Sequence, residues 1–348
     1  MRLKTAKKII VQSILETKDR KDNQMPICPF ILGSMGIGKS YMVREIAKDL
    51  DMYVVEVNLA QYEQSDIGGM QMPSGDTMKV LKPKWLLDDE ERQSLLVESG
   101  YRGIMYFFDE LPQAPILNQN IFAQICNEYR IGDYNIPKGD FVISAGNRMS
   151  DRSGTNQMPM HLKDRLTTIE IEPNLDDFCS YMLQNKKDAR IVSWVRFQPE
   201  FLHKFDRDAN AFPTPRSHER TSDILSWKLD EDEMYHAVAC QIGESASASL
   251  FTHIRIFDKC PKVEDIIANP NDIEVPSDLA IQFATTSALV SSVNDKNMGA
   301  VLKFMNRIDG EFLAYFIKDS VAKNRELLQN KELRFEMANN KKLRELVL

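Results

Sequence analysis

Cysteine is scarce in this chain. Five residues (Cys28, Cys126, Cys179, Cys240 and Cys260) are spread over 348, and no CxxC or CxxH pair occurs. That spacing argues against a structural zinc site and against a disulfide scaffold, and reduced cytosolic thiols are the simplest expectation. Long apolar runs are missing as well. None approaches the roughly 18 residues that a membrane span requires, so no membrane partner is expected. The opening stretch MRLKTAKKIIVQSILETKDR has neither a continuous apolar core nor a small-residue cleavage site, and it reads as an amphipathic helix, not a signal peptide. Positive charge is not in surplus: 44 Lys and Arg face 51 Asp and Glu, a net charge of -7. This disfavours a generic nucleic-acid coat while leaving room for a local basic channel. Internal repeats and low-complexity tracts are also absent.

What remains is an ordinary globular composition, 43% hydrophobic and 27% charged, in a chain long enough for two domains. From Ile27 to about Pro173, short apolar runs alternate with helical patterns. Ile27–Leu32, Tyr53–Val57, Gly103–Phe108, Phe141–Ala145 and Thr167–Ile171 read as strands, and Ser40–Leu50 as a helix. Strands separated by helical stretches imply βαβ units and a parallel sheet, hence an α/β fold. After Asn174 the strand-like runs stop and helical periodicity takes over. The expected organisation is an N-terminal helix (1–24), a nucleotide-binding domain (25–173), a helical lid (174–293) and a helical tail (294–348).

The strongest local pattern is Gly33-Ser34-Met35-Gly36-Ile37-Gly38-Lys39-Ser40, which fits G-x-x-x-x-G-K-[ST] between a predicted strand and a predicted helix. Glycines let the backbone curl so that successive N–H groups face one anion, and the helix N-terminus adds its positive dipole end. Lys39 can reach the β- and γ-phosphates, and Ser40 can supply a Mg²⁺ ligand. The run Gly103–Phe108 ends in Asp109-Glu110, at the carboxyl edge of a parallel sheet where ligands bind. There Asp109 would hold Mg²⁺ and Glu110 would act as general base on a water. On its own an Asp-Glu pair could equally cap the next helix. Phe141–Ala145 is followed by Gly146-Asn147, which places Asn147 to orient that water; a lone Asn after a strand is usually a turn residue.

Taken in order, these residues resemble the AAA+ ATPases, and within them the MoxR and dynein-related group that includes McrB-like proteins. Gly33–Ser40 looks like Walker A, Phe108-Asp109-Glu110-Leu-Pro-Gln-Ala like Walker B, and Asn147 like sensor 1. The run from Arg152 to Asp164-Arg165-Leu is similar to the family's segment ending in Asp-Arg, and Pro213-Thr-Pro-Arg216-Ser looks like a sensor 2 arginine opening a lid helix. The resemblance covers about Met25 to Trp227. It implies a five-stranded P-loop sheet in the order 5-1-4-3-2 with helices on both faces, a helical lid, and a ring, usually a hexamer. It also implies ATP with Mg²⁺, an arginine finger at Arg165 with Arg152 as an additional or alternative contact, and nucleotide sensing by Arg216. Arg148 is expected to be structural.

Residues Asn58–Tyr101 exceed one crossover helix. The family carries a hairpin here that can line the ring's pore, and Asp66–Asp76 with Lys79–Trp85 fits a hairpin or simply a surface loop packed by Trp85. The phosphate loop departs from the family in Ser34-Met35, and no motif here encodes the choice of adenine over guanine; a related restriction-system motor uses GTP, so ATP is an expectation and not a deduction. The implied function is ATP hydrolysis by a cytoplasmic ring that remodels or matures a separate client or adaptor, in this group often a von Willebrand A protein. Two other readings stand beside it. One is a nucleic-acid motor using Lys79, Lys82 and Lys84; the other is a nucleotide-gated assembly module with slow turnover.

Overall fold

The computed structural model describes residues 1–18, 26–151, 154, 156–206, 208–257 and 259–339. The chain forms two compact units, Met1–Glu172 and Pro173–Leu348.

In the first unit the strands are β1 (Pro29–Leu32), β2 (Met52–Asn58), β3 (Met70–Ser74), β4 (Thr77–Leu81), β5 (Gly103–Asp109), β6 (Arg130–Ile131), β7 (Tyr134–Asn135), β8 (Phe141–Gly146) and β9 (Thr167–Glu170). Its helices are α1 (Leu3–Lys18), α2 (Lys39–Asp49), α3 (Gln64–Gly68), α4 (Asp89–Gln93), α5 (Ile116–Glu128) and α6 (Met160–Lys163). Five strands make one sheet in the order β2-β5-β8-β1-β9, and every pairing in it is parallel. Counted as the five predicted strands, that is the order 5-1-4-3-2. Pro29 opens β1 two residues later than the apolar run suggested; proline has no N–H to give a ladder and is tolerated as the first residue of a strand.

The central strands β1, β5 and β8 are buried on both faces, as their uninterrupted apolar sequences require. Along β5, Ile104, Tyr106 and Phe108 enter the core shared with α5, while Met105 and Phe107 enter the core shared with α1 and α2. On α1, Ala6, Ile10 and Ile14 recur every four residues and pack into that second core, and Lys7 pairs with Glu45 and Asp49 of α2 (3.2 and 2.7 Å). The register sets the ends of the central strands level. Asn58 lies opposite Asp109, Phe108 opposite Ser144, and Leu32 opposite both Gly146 and Glu170. The residues that follow β1, β5 and β8 therefore meet at one edge.

The long insertion contains an antiparallel hairpin, β3–β4, whose strands are largely exposed. A second, shorter hairpin, β6–β7, precedes β8.

The second unit is helical: α7 (Leu175–Gln184), α8 (Ala189–Phe197), α9 (Pro215–Ile224), α10 (Glu231–Ile242), α11 (Glu244–Phe257), α12 (Val263–Ala268), α13 (Leu279–Ser292), α14 (Met298–Met305), α15 (Gly310–Lys323) and α16 (Lys331–Asn339). One hydrophobic core runs through it from Phe178 and Trp194 to Phe304, Phe316 and Leu333, so helices on both sides of residue 293 share their packing. Arg196 of α8 is buried against Asp319 of α15, with bonds of 2.9 and 2.5 Å. The five cysteines are free thiols. Among the described residues no helix is long and apolar enough to cross a membrane.

Candidate functional site

The site is assembled at the edge where β1, β5 and β8 end. After Leu32 the chain turns through the phosphate-loop sequence. Gly36 and Gly38 take φ values of 73° and 93°, in the left-handed region that side chains other than glycine rarely enter, and α2 starts at Lys39. Lys39 is only 8% exposed. Its ammonium donates to the carbonyls of Gly33 and Ser34 (both 2.8 Å) and to Asn147 Oδ1 (2.7 Å). The Ser40 hydroxyl donates to Asp109 Oδ2 at 2.8 Å. Three segments more than a hundred residues apart at their extremes are thus tied by side-chain hydrogen bonds.

Asp109 Oδ1 accepts from the Glu110 amide at 2.8 Å, and Glu110 has φ 59° and ψ 32°. A non-glycine residue in that conformation costs on the order of 1 kcal/mol or more and persists only where its surroundings hold it. Here the turn after Glu110 does so: the amides of Gln113 and Ala114 both donate to the Glu110 carbonyl (3.0 and 3.1 Å). The end of β8 presses on the same turn. A Cβ added at Gly146 would lie 2.0 Å from Pro112 Cδ, so only glycine lets Asn147 come this close to the Asp109-Glu110 segment.

The structure brings together Lys39, Ser40, Asp109 and Asn147, with the Glu110 backbone bonded to Asp109. Arg165 is not among them. It follows α6, is exposed, and makes no side-chain hydrogen bond or ion pair among the described residues; its charge acts on Glu128 and Cys126 near the end of α5. Arg148 pairs with Glu170 (2.9 Å) and donates to the Ile171 carbonyl (2.9 Å), fastening β8 to the end of β9. Arg216 is the second residue of α9 in the helical unit, where Thr214 and Ser217 form a capping box. Arg152 lies outside the described residues.

Sequence reasoning missed three features of this unit. Asn118 of α5 is buried, and its amide donates to the carbonyls of Leu59 (3.1 Å) and Tyr62 (2.7 Å), holding the loop after β2. Asp140 is buried before β8, where it takes two bonds from Arg92 (2.9 and 3.0 Å) and one from the Ile104 amide (3.1 Å). Burial pushes its carboxyl above the usual range, and the Arg92 guanidinium opposes that shift. The β6–β7 hairpin was also unforeseen; its one signal is the Gly132-Asp133 turn.

No protein-family model matches the chain, and no curated protein does. Among solved structures it is similar to RuvB of Thermotoga maritima. One RuvB variant is 14% identical, with 78% of this chain and 77% of that chain covered and a TM-score of 0.41. Another is 13% identical, with coverage of 85% and 86% and a TM-score of 0.40. A structure described as the RuvB Holliday junction branch migration motor is 14% identical over 85% and 86%, at 0.39. Scores of this size assign neither residues nor activity to this chain.

Proposed function

We propose that this chain is a Mg²⁺-dependent ATPase of the AAA+ type that works as an oligomeric ring, a hexamer by the resemblance, and remodels or matures a partner protein. The observation that carries this is the pair of hydrogen bonds Lys39–Asn147 and Ser40–Asp109, which unite the phosphate loop with the ends of two other central strands.

The residues fit the groups implied. The positive-φ glycines and the start of α2 suit a polyphosphate, and a hydroxyl beside a carboxylate is a donor pair for a hard cation. Ser40 and Asp109 would hold Mg²⁺, which supplies charge neutralisation on the phosphate oxygens. The loop from Gly33 to Gly38 binds phosphate through its amides, and Lys39 turns from its internal carbonyls to the phosphate oxygens. Glu110 takes the proton of the attacking water, and Asn147 orients that water. Arg165 is presented to the site of a neighbouring protomer, with Arg152 as a further contact, and Arg216 reads the nucleotide from the helical unit.

A polypeptide client is favoured over nucleic acid by the β3–β4 hairpin. Its exposed apolar side chains are Met70, Met72, Met78 and Leu81, a flexible and adaptable surface, and Lys82 is already near Asp88 (3.9 Å). A von Willebrand A adaptor is one candidate partner. Stimulation of hydrolysis by DNA, falling steeply with salt, would reverse this preference.

The test is Glu110→Gln. It is expected to keep Mg·ATP binding and to lose turnover by about 10²-fold or more, read by phosphate release and by binding of a fluorescent nucleotide. Turnover at the wild-type rate would remove Glu110 from the role of base. Absence of nucleotide binding in the wild type would refute the ATPase reading as a whole.

A further inference from the structure

The insertion between β2 and β5 makes none of the side-chain bonds that tie the phosphate loop to Asp109 and Asn147, yet the two ends of its β3–β4 hairpin are fastened together by one side chain. Trp85 is buried, 18 residues after Ile67, and its Nε1–H donates to the Ile67 carbonyl at 3.1 Å. Ile67 lies in α3, just before β3, and Trp85 comes four residues after the end of β4, so this bond closes the root of the hairpin. The indole then meets two side chains of β5 edge to face: Tyr106 (5.4 Å between centroids, 76°) and Phe108 (5.0 Å, 82°). Phe108 directly precedes Asp109-Glu110. On its other side it touches Phe122 of α5 (4.8 Å).

The same α5 holds the approach to the hairpin through Asn118 and the Leu59 and Tyr62 carbonyls. The hairpin's root is thus buried and bonded to the two elements that flank Glu110, while its strands stand exposed. Val80, in β4, pairs with Gln71 across the hairpin, and its carbonyl accepts from the Tyr134 hydroxyl at 3.2 Å. Glu110 itself is held in the left-handed region. A residue in that conformation keeps its place only if the chain on both sides is fixed. The turn at Gln113 and Ala114 fixes one side; Phe108, wedged between Trp85 and Phe122, fixes the other.

We propose that Trp85 is a positioning residue that couples the β3–β4 hairpin to Glu110 through Phe108. A displacement of the hairpin root tilts Phe108 and with it the carboxylate of Glu110; conversely, nucleotide drawn against the Asp109-Glu110 segment shifts the hairpin. The inference rests on the ATPase reading and adds to it the residue through which the exposed arm acts. A Trp85 that merely filled the core would affect stability alone.

Amide hydrogen exchange of residues 70–81 tests this in the full chain, without nucleotide and with ADP, beryllium fluoride and Mg²⁺ at concentrations shown to saturate binding. In the wild type, exchange is expected to change severalfold on nucleotide binding. Trp85→Phe keeps an aromatic ring against Phe108 but has no N–H for Ile67. It is expected to lose at least half of that response and to lower kcat severalfold with KM for ATP unchanged. Tyr134→Phe removes only the outer tether, and is expected to raise hairpin exchange in both states while leaving kcat as it is. An unchanged hairpin in the nucleotide-bound wild type overturns the proposal even if Trp85→Phe does not fold. A full response retained in folded Trp85→Phe overturns it as well. Failure of the wild type to bind nucleotide defeats the ATPase reading and this inference with it.

Discussion

His218 and His253 are buried in the helical unit, and burial pushes both imidazoles down to about 4. His218 donates from Nε2 to the Phe201 carbonyl at 2.7 Å, which leaves Nδ1 without a partner, and its ring lies against Trp194. Because the folded values lie below the unfolded one, the unfolded chain takes up protons first as pH falls. Stability is therefore full above about pH 6.5 and declines as pH drops toward 4, by about 3 kcal/mol from His218 alone. The unfolding midpoint should fall between pH 7 and pH 5, with the decline reduced in a folded His218→Gln variant; a midpoint independent of pH over that range would contradict the burial argument. At the edge that carries the candidate site the sharpest constraint is Gly146. Gly146→Ala places a methyl 2.0 Å from Pro112 Cδ and must displace the turn after Glu110. A loss of about 1–3 kcal/mol in stability and a clear fall in kcat are expected, measured by denaturant unfolding and phosphate release.

At the scale of elements, the helical unit is cross-braced by an ion pair. Arg196 bonds Asp319 and also approaches Asp176 (3.3 Å), while Lys318 reaches Asp176 at 2.6 Å. Burial pushes the Asp319 carboxyl up, and the Arg196 guanidinium opposes this. Arg196→Met leaves that carboxyl buried and unpaired and should cost about 3–5 kcal/mol. Arg196→Met with Asp319→Leu should recover most of it, since the desolvation cost goes with the charges; equal losses in both would refute this account. Which elements were legible follows from the same physics. The central strands β1, β5 and β8 and α2 were readable because a strand buried on both faces is an unbroken apolar run, and because the glycines and the lysine of the loop sit at fixed offsets. The sheet order came from the resemblance, not from the runs themselves. Trp85 on Ile67, Asn118 on Leu59 and Arg92 on Asp140 were not legible, since each joins residues that only the fold makes neighbours. The strands of β6–β7, two residues each, are too short to leave a periodicity.

On the scale of the whole molecule, the two units have separate cores, and the edge where Lys39, Ser40, Asp109 and Asn147 meet lies in the first. On the ATPase reading, in which Arg165 is presented to a neighbouring protomer, turnover at that edge needs a second copy. Specific activity should rise with protein concentration. Arg165→Ala should abolish turnover, and mixing it with Glu110→Gln should restore part of it, since each protomer type supplies what the other lacks. Absence of recovery in rings shown to contain both would place the arginine elsewhere.

The ammonium of Lys39 carries three N–H bonds, and two peptide carbonyls and one side-chain amide already engage it. An anion entering the loop must therefore outbid a network the chain has completed for itself. Orthophosphate or sulfate, offering one small cluster of oxygens, gains little by that exchange. A longer anion that satisfies the loop amides and the cation together gains on both counts. On the ATPase reading, the self-engaged lysine would thus set a threshold on ligand size and charge that a polyphosphate passes and a small anion does not.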